Sequence, residues 1–275
     1  MTLPSKDPVR FNRAAQPGNP AIQPEAAPKP QQVQVQIKSK RPIVVYSIIG
    51  VTVFVWLLQL ASFFLLDGDL PALLLDKSNQ FIQQGQLWRL ITPVLLHSSD
   101  YTSSRYFLLH ILFNMIALYN IGPLLEQFYG HRRFLALYLV TGVAGNLFSF
   151  IFSPNDSLGA STAIFGLIGA QLLFVFYNRP LFGGRADSII KSTGFLIIIN
   201  LSLGFTPGID MWGHVGGLLG GLAFAFLAGP VMKVEQQGSG LALVNSRSNT
   251  RFWGTFAFQT ALLFFVATLV IFFRR

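Results

Sequence analysis

Polar and apolar positions in this chain come in blocks rather than in the short alternation of a strand. Seven apolar stretches, at 43–66, 107–125, 134–153, 159–177, 189–205, 211–229 and 252–273, are separated by polar segments. A helix that crosses the hydrocarbon layer needs about 20 residues, within a range near 17–25, and all seven stretches fall in that range. The pattern predicts an all-α polytopic membrane protein, a helical bundle with seven transmembrane helices. The fourth to sixth stretches are rich in Gly and give the weakest hydropathy signal.

Composition agrees with the blocks. The chain of 275 residues is 52% hydrophobic and 11% charged, where soluble domains average about 25% charged. Residues 1–41 are polar, repeat Pro, Gln and Ala, and show no apolar period, which predicts a disordered cytoplasmic tail. The tail has no apolar core ahead of a small-residue cleavage site, so it does not read as a secretory signal. Residues 42–230 then form a six-helix core, 231–251 a polar cytoplasmic linker, and 252–275 an additional seventh transmembrane helix.

The net charge of +9 could point to nucleic acid, but its placement points to topology instead. Seven spans put the termini on opposite sides. With the N-terminus in the cytoplasm, 15 of the 20 Lys and Arg fall in the tail and the inner segments, as the positive-inside rule requires. Only Lys77, Arg89, Arg105, Arg274 and Arg275 fall outside. Cysteine is absent, which excludes disulfides, thiol nucleophiles and thiolate metal sites. The reading calls for no cofactor, no metal and no nucleic acid, and leaves oligomeric state open.

The first outer loop, 67–106, is long. Its apolar pieces at 71–75 and 87–91 are too short to span and are expected in the interface, with Trp88 at headgroup level. His97 and His131 stand at loop edges and are expected to be solvated. The fifth stretch is short and expected to be broken at Gly194.

In this orientation the second, fourth and sixth helices all run from outside to inside. His110 and Asn114 lie in the first two turns of the second, Ser161 in the first turn of the fourth, and His214 in the first turn of the sixth. At a rise of about 1.5 Å per residue, all four share a depth just below the outer surface. His110 and Asn114, four apart, share one helix face. Gly213, Gly217 and Gly221 make a flat stripe beside His214. If that stripe packs on the Gly159, Ala163, Gly166 and Ala170 side, His214 approaches Ser161.

That set of groups suits nucleophilic acyl transfer. A serine hydroxyl needs a base, and histidine is the usual one at neutral pH. Asn114, His110 and the backbone N–H of Ser161 can donate to an oxyanion. No carboxylate is evident to orient His214, because Asp210 and Asp156 both fall in loops. A Ser161–His214 dyad is therefore expected.

The motifs His110-x-x-x-Asn114, Gly159-x-Ser161, His214-x-x-Gly217-x-x-x-Gly221 and Trp88-Arg89 resemble those of the rhomboid intramembrane serine proteases, and the likeness runs from about residue 43 to 273. The resemblance implies a rhomboid-like bundle of six-plus-one helices with Ser161 as nucleophile and His214 as base. His110 and Asn114 would help hold the oxyanion, and Phe165 would pack against the base. It also implies cleavage of single-span membrane proteins in the bilayer, near the outer end of their helix, with access between the second and fifth helices. Two positions depart from the family pattern. Thr162 stands where the motif commonly has Gly, and its β-branch is expected to crowd the substrate or tighten the helix turn. Gly213 stands where alanine is frequent.

Each residue alone has a plainer reading. Ser161 could be a packing serine that bonds its own backbone, His214 a proton-relay residue, and His110 with Asn114 polar helix glue. A non-catalytic rhomboid-like chaperone or scaffold, or a haem or proton carrier using His110 and His214, are the rival functions. The topology is tested by cysteine labelling, which is clean in a cysteine-free chain. A cysteine placed in the tail is shielded in intact cells and one appended after Arg275 reacts; the reverse pattern would overturn both the orientation and the shared depth.

Overall fold

The computed structural model describes residues 40–99, 107–237 and 240–274. The tail 1–39, expected to be disordered and cytoplasmic, and Arg105 and Arg275, expected on the outer side, lie outside them. Ten α-helices and one hairpin follow in order: α1 Ile43–Leu66, α2 Leu70–Leu75, α3 Asn79–Gln83, α4 Phe107–Tyr129, α5 His131–Phe152, α6 Ser161–Tyr177, α7 Arg179–Phe182, α8 Ala186–Leu203, α9 Met211–Ala228, β1 Met232–Gln237, β2 Gly240–Asn245 and α10 Asn249–Arg274. The protein is an all-α polytopic membrane bundle. Among the described residues six helical stretches are long and apolar enough to cross a membrane.

The fourth apolar stretch makes a shorter helix than expected. α6 has 17 residues, which at 1.5 Å each is about 25 Å, less than the ~30 Å of a hydrocarbon core. It is nonetheless the axis of the bundle. It packs against α4, α5, α8 and α9, and from Thr162 to Gln171 every residue is buried. α9 lies between α5 and α6, while α1 packs on α4 and α10 on α5 and α9. The outward faces of α1, α8 and α10 keep large apolar side chains exposed, Phe54, Phe195 and Phe265 among them, as surfaces that face acyl chains do.

Small residues set these distances. A Cβ on Gly217 would run into the backbone carbonyl of Thr162, and one on Gly221 into the carbonyl of Gly166. The opposite face of α9 is equally bare: a Cβ on Gly216 would strike Phe148, and one on Gly220 would stand 2.6 Å from Cβ of Ala144. α9 thus presents one glycine row to α6 and a second to α5. The second row was not singled out in the sequence, although Gly216 and Gly220 show the same spacing of four.

The helix ends are closed by side chains from elsewhere. α1 starts after Pro42 with no cap of its own, and the buried carboxylate of Glu126 accepts from Val44 N (2.9 Å) and Val45 N (2.8 Å). His131, expected to be merely solvated, pairs with the same carboxylate. Arg274 donates to Phe150 O (2.9 Å) and Ile151 O (2.6 Å) at the end of α5. Cations at such C-termini also oppose the helix dipole.

Two expectations change here. The segment 231–251, expected as a polar linker, carries regular structure. Its alternating residues pair as an antiparallel hairpin. Asn178 ties that hairpin to α6, accepting from Met232 N (2.6 Å) and donating to Pro230 O (2.9 Å). Arg247 closes α9 through Ala225 O (3.0 Å) and Gly229 O (2.9 Å). The fifth stretch is not broken at Gly194, because α8 runs unbroken from Ala186 to Leu203; one Gly in an otherwise good helix costs only about 1 kcal/mol.

The glycine rows give a direct test. Gly217→Val and Gly221→Val drive new atoms into main chain that cannot step aside, and each is expected to cost about 1–3 kcal/mol or more. Gly50→Ala and Gly254→Ala, where nothing lies within 4 Å, are expected to be neutral or stabilising. Thermal unfolding in micelles reads the difference, and equal midpoints for both classes would contradict it.

Candidate functional site

At the end of the bundle where α6 and α9 begin, Ser161 is the first residue of α6 and His214 the fourth of α9. His214 Nε2 stands 2.9 Å from Ser161 Oγ. For Nε2 to accept the hydroxyl proton, the ring proton must sit on Nδ1, and Nδ1 is buried with no hydrogen-bond partner among the described residues. Phe165, one turn into α6, lies flat on the imidazole with ring centroids 4.3 Å apart and planes 15° apart. That stacking fixes the plane of the ring.

The start of α6 is shaped by Gly159. Its φ of 136° is one that residues with a side chain rarely adopt. The space a Cβ would fill there is 2.9 Å from His110 Nε2 and 3.7 Å from Ser161 Oγ. The missing side chain lets His110 and Ser161 face the same small space. No side chain caps α6, so its first-turn N–H groups, whose partial positive charge suits an anion, are not used up by a cap. Asn114 is buried on α4 and donates through Nδ2 to His110 O (2.8 Å). One of its two amide protons is thereby spent within its own helix.

Thr162 is packed into the bundle. Its side chain is buried, with Cβ beside Gly145 of α5 and Cγ2 beside Gly213 of α9. The β-branch fills the seam where α5, α6 and α9 meet. Gly213, in turn, is small because Thr162 takes its space. Asp210 is the N-cap of α9, with Oδ1 accepting from Gly213 N (2.9 Å). It is bonded to the helix start rather than to the ring of His214.

The described part of the first loop is tied to the bundle by buried polar contacts, while Leu73, Leu74 and Trp88 stay exposed. Arg89, read from sequence as interface chemistry, is buried. It pairs with Asp76, donates to Leu73 O (2.7 Å) and Gln86 Oε1 (2.8 Å), and stacks on Phe81. Burial pushes the Asp76 carboxyl up to about 6 against the pull of Arg89. Asn146 on α5 donates to Leu90 O (3.0 Å), and Gly159 N donates to Pro93 O (3.0 Å).

His97, expected to be solvated, is not. It is fully buried, with its ring 5.0 Å from that of His110. Its backbone N–H donates to Gln59 Oε1 of α1 (3.0 Å). The sequence carried no sign of this, because a loop histidine has no periodicity to read. Burial, and then the neighbouring His110, push the His97 imidazolium down to about 3 from 6.5. The unfolded chain takes up that proton first, so the linked stability is fully present above 6.5 and lost as pH falls toward 3. Within that window His97 is expected to contribute a slope of about 1.4 kcal/mol per pH unit. Unfolding measured from pH 7 to 4 is expected to be shallower by that amount in His97→Gln, and identical slopes would contradict the assignment.

Comparison with known proteins agrees with this architecture. The family model described as Rhomboid domain matches residues 84–231. Over 154 residues the chain is 43% identical to "Rhomboid protease GluP" of Bacillus subtilis (strain 168), covering 56% of this chain and 28% of that protein. It is 35% identical over 151 residues to "RHOMBOID-like protein 5" of Arabidopsis thaliana, covering 54% and 46%. It is also 35% identical over 162 residues to "Putative rhomboid protease YdcA" of Bacillus subtilis (strain 168), covering 58% and 75%. The chain thus spans less than half the length of the first two of these relatives and three quarters of the third. The matched region holds the whole of the Ser161–His214 site, and the chain belongs to the rhomboid family.

Proposed function

We propose that this protein is a serine endopeptidase that cleaves the membrane helices of other proteins with a Ser161–His214 dyad. The observation that carries the reading is the 2.9 Å bond between His214 Nε2 and Ser161 Oγ, made across two helices inside an apolar bundle. A hydroxyl and an imidazole in that contact form a nucleophile with its base. Ser161 Oγ attacks the scissile carbonyl carbon as its proton passes to Nε2. The resulting oxyanion takes hydrogen bonds from Ser161 N–H, the remaining N–H of Asn114 and the ring of His110. Nε2 returns the proton to the departing amine, and water repeats the sequence on the acyl-enzyme.

In this reading no cofactor takes part, and the orienting role of a third triad member falls to Phe165 and to the packing of α9. Gly159 keeps the oxyanion space open, while Gly217 and Gly221 hold α9 at the distance the bond requires. The membrane is the bacterial plasma membrane, with the N-terminus in the cytoplasm and the C-terminus outside. The substrates are single-span membrane proteins. A continuous helix hides its carbonyls in i+4 hydrogen bonds, so a substrate must unwind near its outer end to offer one. Small residues at the cut, with Gly or Pro deeper in the substrate helix, lower that cost.

Cleavage by purified protein in lipid vesicles tests the reading. Ser161→Ala and His214→Ala are each expected to abolish turnover, and the double variant to be no worse, because the two act as one unit. Asn114→Ala is expected to leave a rate reduced by up to about 10²–10³. Asp210→Asn is expected to cost far less than His214→Ala, since its carboxylate caps a helix; an equal loss would make the site a triad. Full turnover by Ser161→Ala, or cleavage indifferent to replacing substrate Gly and Pro with Leu, would defeat the account. A fluorophosphonate that fails to label Ser161 would favour a non-catalytic scaffold.

A further inference from the structure

The segment that delivers Ser161 to its place, 153–160, is gripped by two residues of the first loop. Lys77 and Ser157 exchange backbone bonds, Lys77 N to Ser157 O at 2.9 Å and Ser157 N to Lys77 O at 3.1 Å. The Lys77 ammonium donates to Asn79 Oδ1 (3.0 Å) and to the carbonyl of Asn155. Asn79 completes the grip, its N–H donating to Asp156 Oδ1 (2.9 Å) and its Nδ2 to Ser153 O (2.7 Å). Residues 153, 155, 156 and 157 are therefore all tied to positions 77 and 79, a few residues before Ser161.

Lys77 has no exposed surface. Burying an ammonium costs several kcal/mol unless it is paired and hydrogen-bonded, so a cation here needs a reason that an apolar residue would not serve. Burial pushes it below the usual lysine range, while Asp210, Asp156 and Asp76 hold it up. Asp156 belongs to the grip itself, and Asp76, next to Lys77 in the chain, pairs with Arg89. Asp210 makes no ion pair with Lys77 among the described residues and serves as the cap of α9.

We propose, on the protease reading above, that Lys77 is a positioning residue for Ser161. Its bonds set the height of 153–157. The start of α6 is thereby placed by an element that touches neither reacting group. A carbonyl and an amide oxygen on different segments need a donor with several protons, which a lysine has and a methionine of similar length lacks.

The test uses full-length protein in lipid vesicles and reads three quantities: the rate of fluorophosphonate labelling of Ser161, kcat and KM for a cleaved substrate, and the thermal midpoint. Lys77→Met is expected to lower both the labelling rate and kcat by about 10²-fold, the cost of a misplacement of about 1 Å, with KM unchanged. Asp156→Ala, an exposed position that loses one bond of the grip, is expected to give a smaller loss in the same two quantities. Folded Lys77→Met that labels at the wild-type rate, or that changes KM alone, overturns the proposal. Should Lys77→Met fail to fold, Asp156→Ala decides, and an unaltered labelling rate there overturns it. A wild-type protein that is itself inert to the probe defeats the protease reading, whereas a reactive wild type beside an equally reactive Lys77→Met defeats this inference alone.

Discussion

The approach of α9 to α6 is the constraint on which the rest depends. Where Gly217 and Gly221 stand, the main chain of α6 leaves no room for a side chain. In lipid no hydrophobic force drives one helix onto another, so close packing and polar contacts must supply the attraction. The bare row of α9 provides the first and the Ser161–His214 bond rides on it as the second. A separation larger by one methyl group would take Nε2 out of reach of Oγ. The second row, Gly216 and Gly220, brings α9 equally close to α5, so the helix carrying His214 is held from two sides.

That arrangement leaves the helix ends to be solved separately. Unpaired carbonyls and N–H groups are costly where water is scarce, and this chain closes them with residues distant in sequence. Glu126 of α4 serves the start of α1, Arg274 of α10 the end of α5, and Arg247, after the hairpin, the end of α9. Each such contact joins one element to another, so the peripheral helices are tied to the core by their polar ends as well as by their apolar faces. The first loop obeys the same logic, since Arg89, Lys77 and Asn146 spend their donors on main-chain carbonyls of neighbouring segments.

The site takes its character from this economy. His214 is exposed to little solvent and lacks a carboxylate partner on Nδ1, so its ring is set by Phe165 beneath it and by the helix that carries it. His110 and His97 lie together on the other side of Gly159 and are held by Gln59 through the backbone of His97. Ser161, His214, His110 and Asn114 are thus gathered at one end, where α4, α6 and α9 begin, while Glu126, Asn178 and Arg247 close the other.

The sequence by itself determined the number and order of apolar blocks, and helix bounds followed from them to within a few residues. Hydropathy is a local property that a single helix must satisfy alone. It also put His110, Asn114, Ser161 and His214 at one end of the bundle, because alternate helices of a serpentine chain begin at the same end. The spacing of four in Gly213, Gly217 and Gly221 announced a flat face, but which neighbour met it was decided only in three dimensions. So was the place of Thr162, in the seam of three helices, and that of the 231–251 segment, whose hairpin depends on Asn178 and Arg247 to hold it. His97, Lys77 and Asn79 were illegible for a physical reason. They lie in a stretch without periodicity, and apart from the Lys77–Asn79 contact their partners are 13 to 80 residues away, so no local pattern distinguishes a buried clamp from a solvated surface.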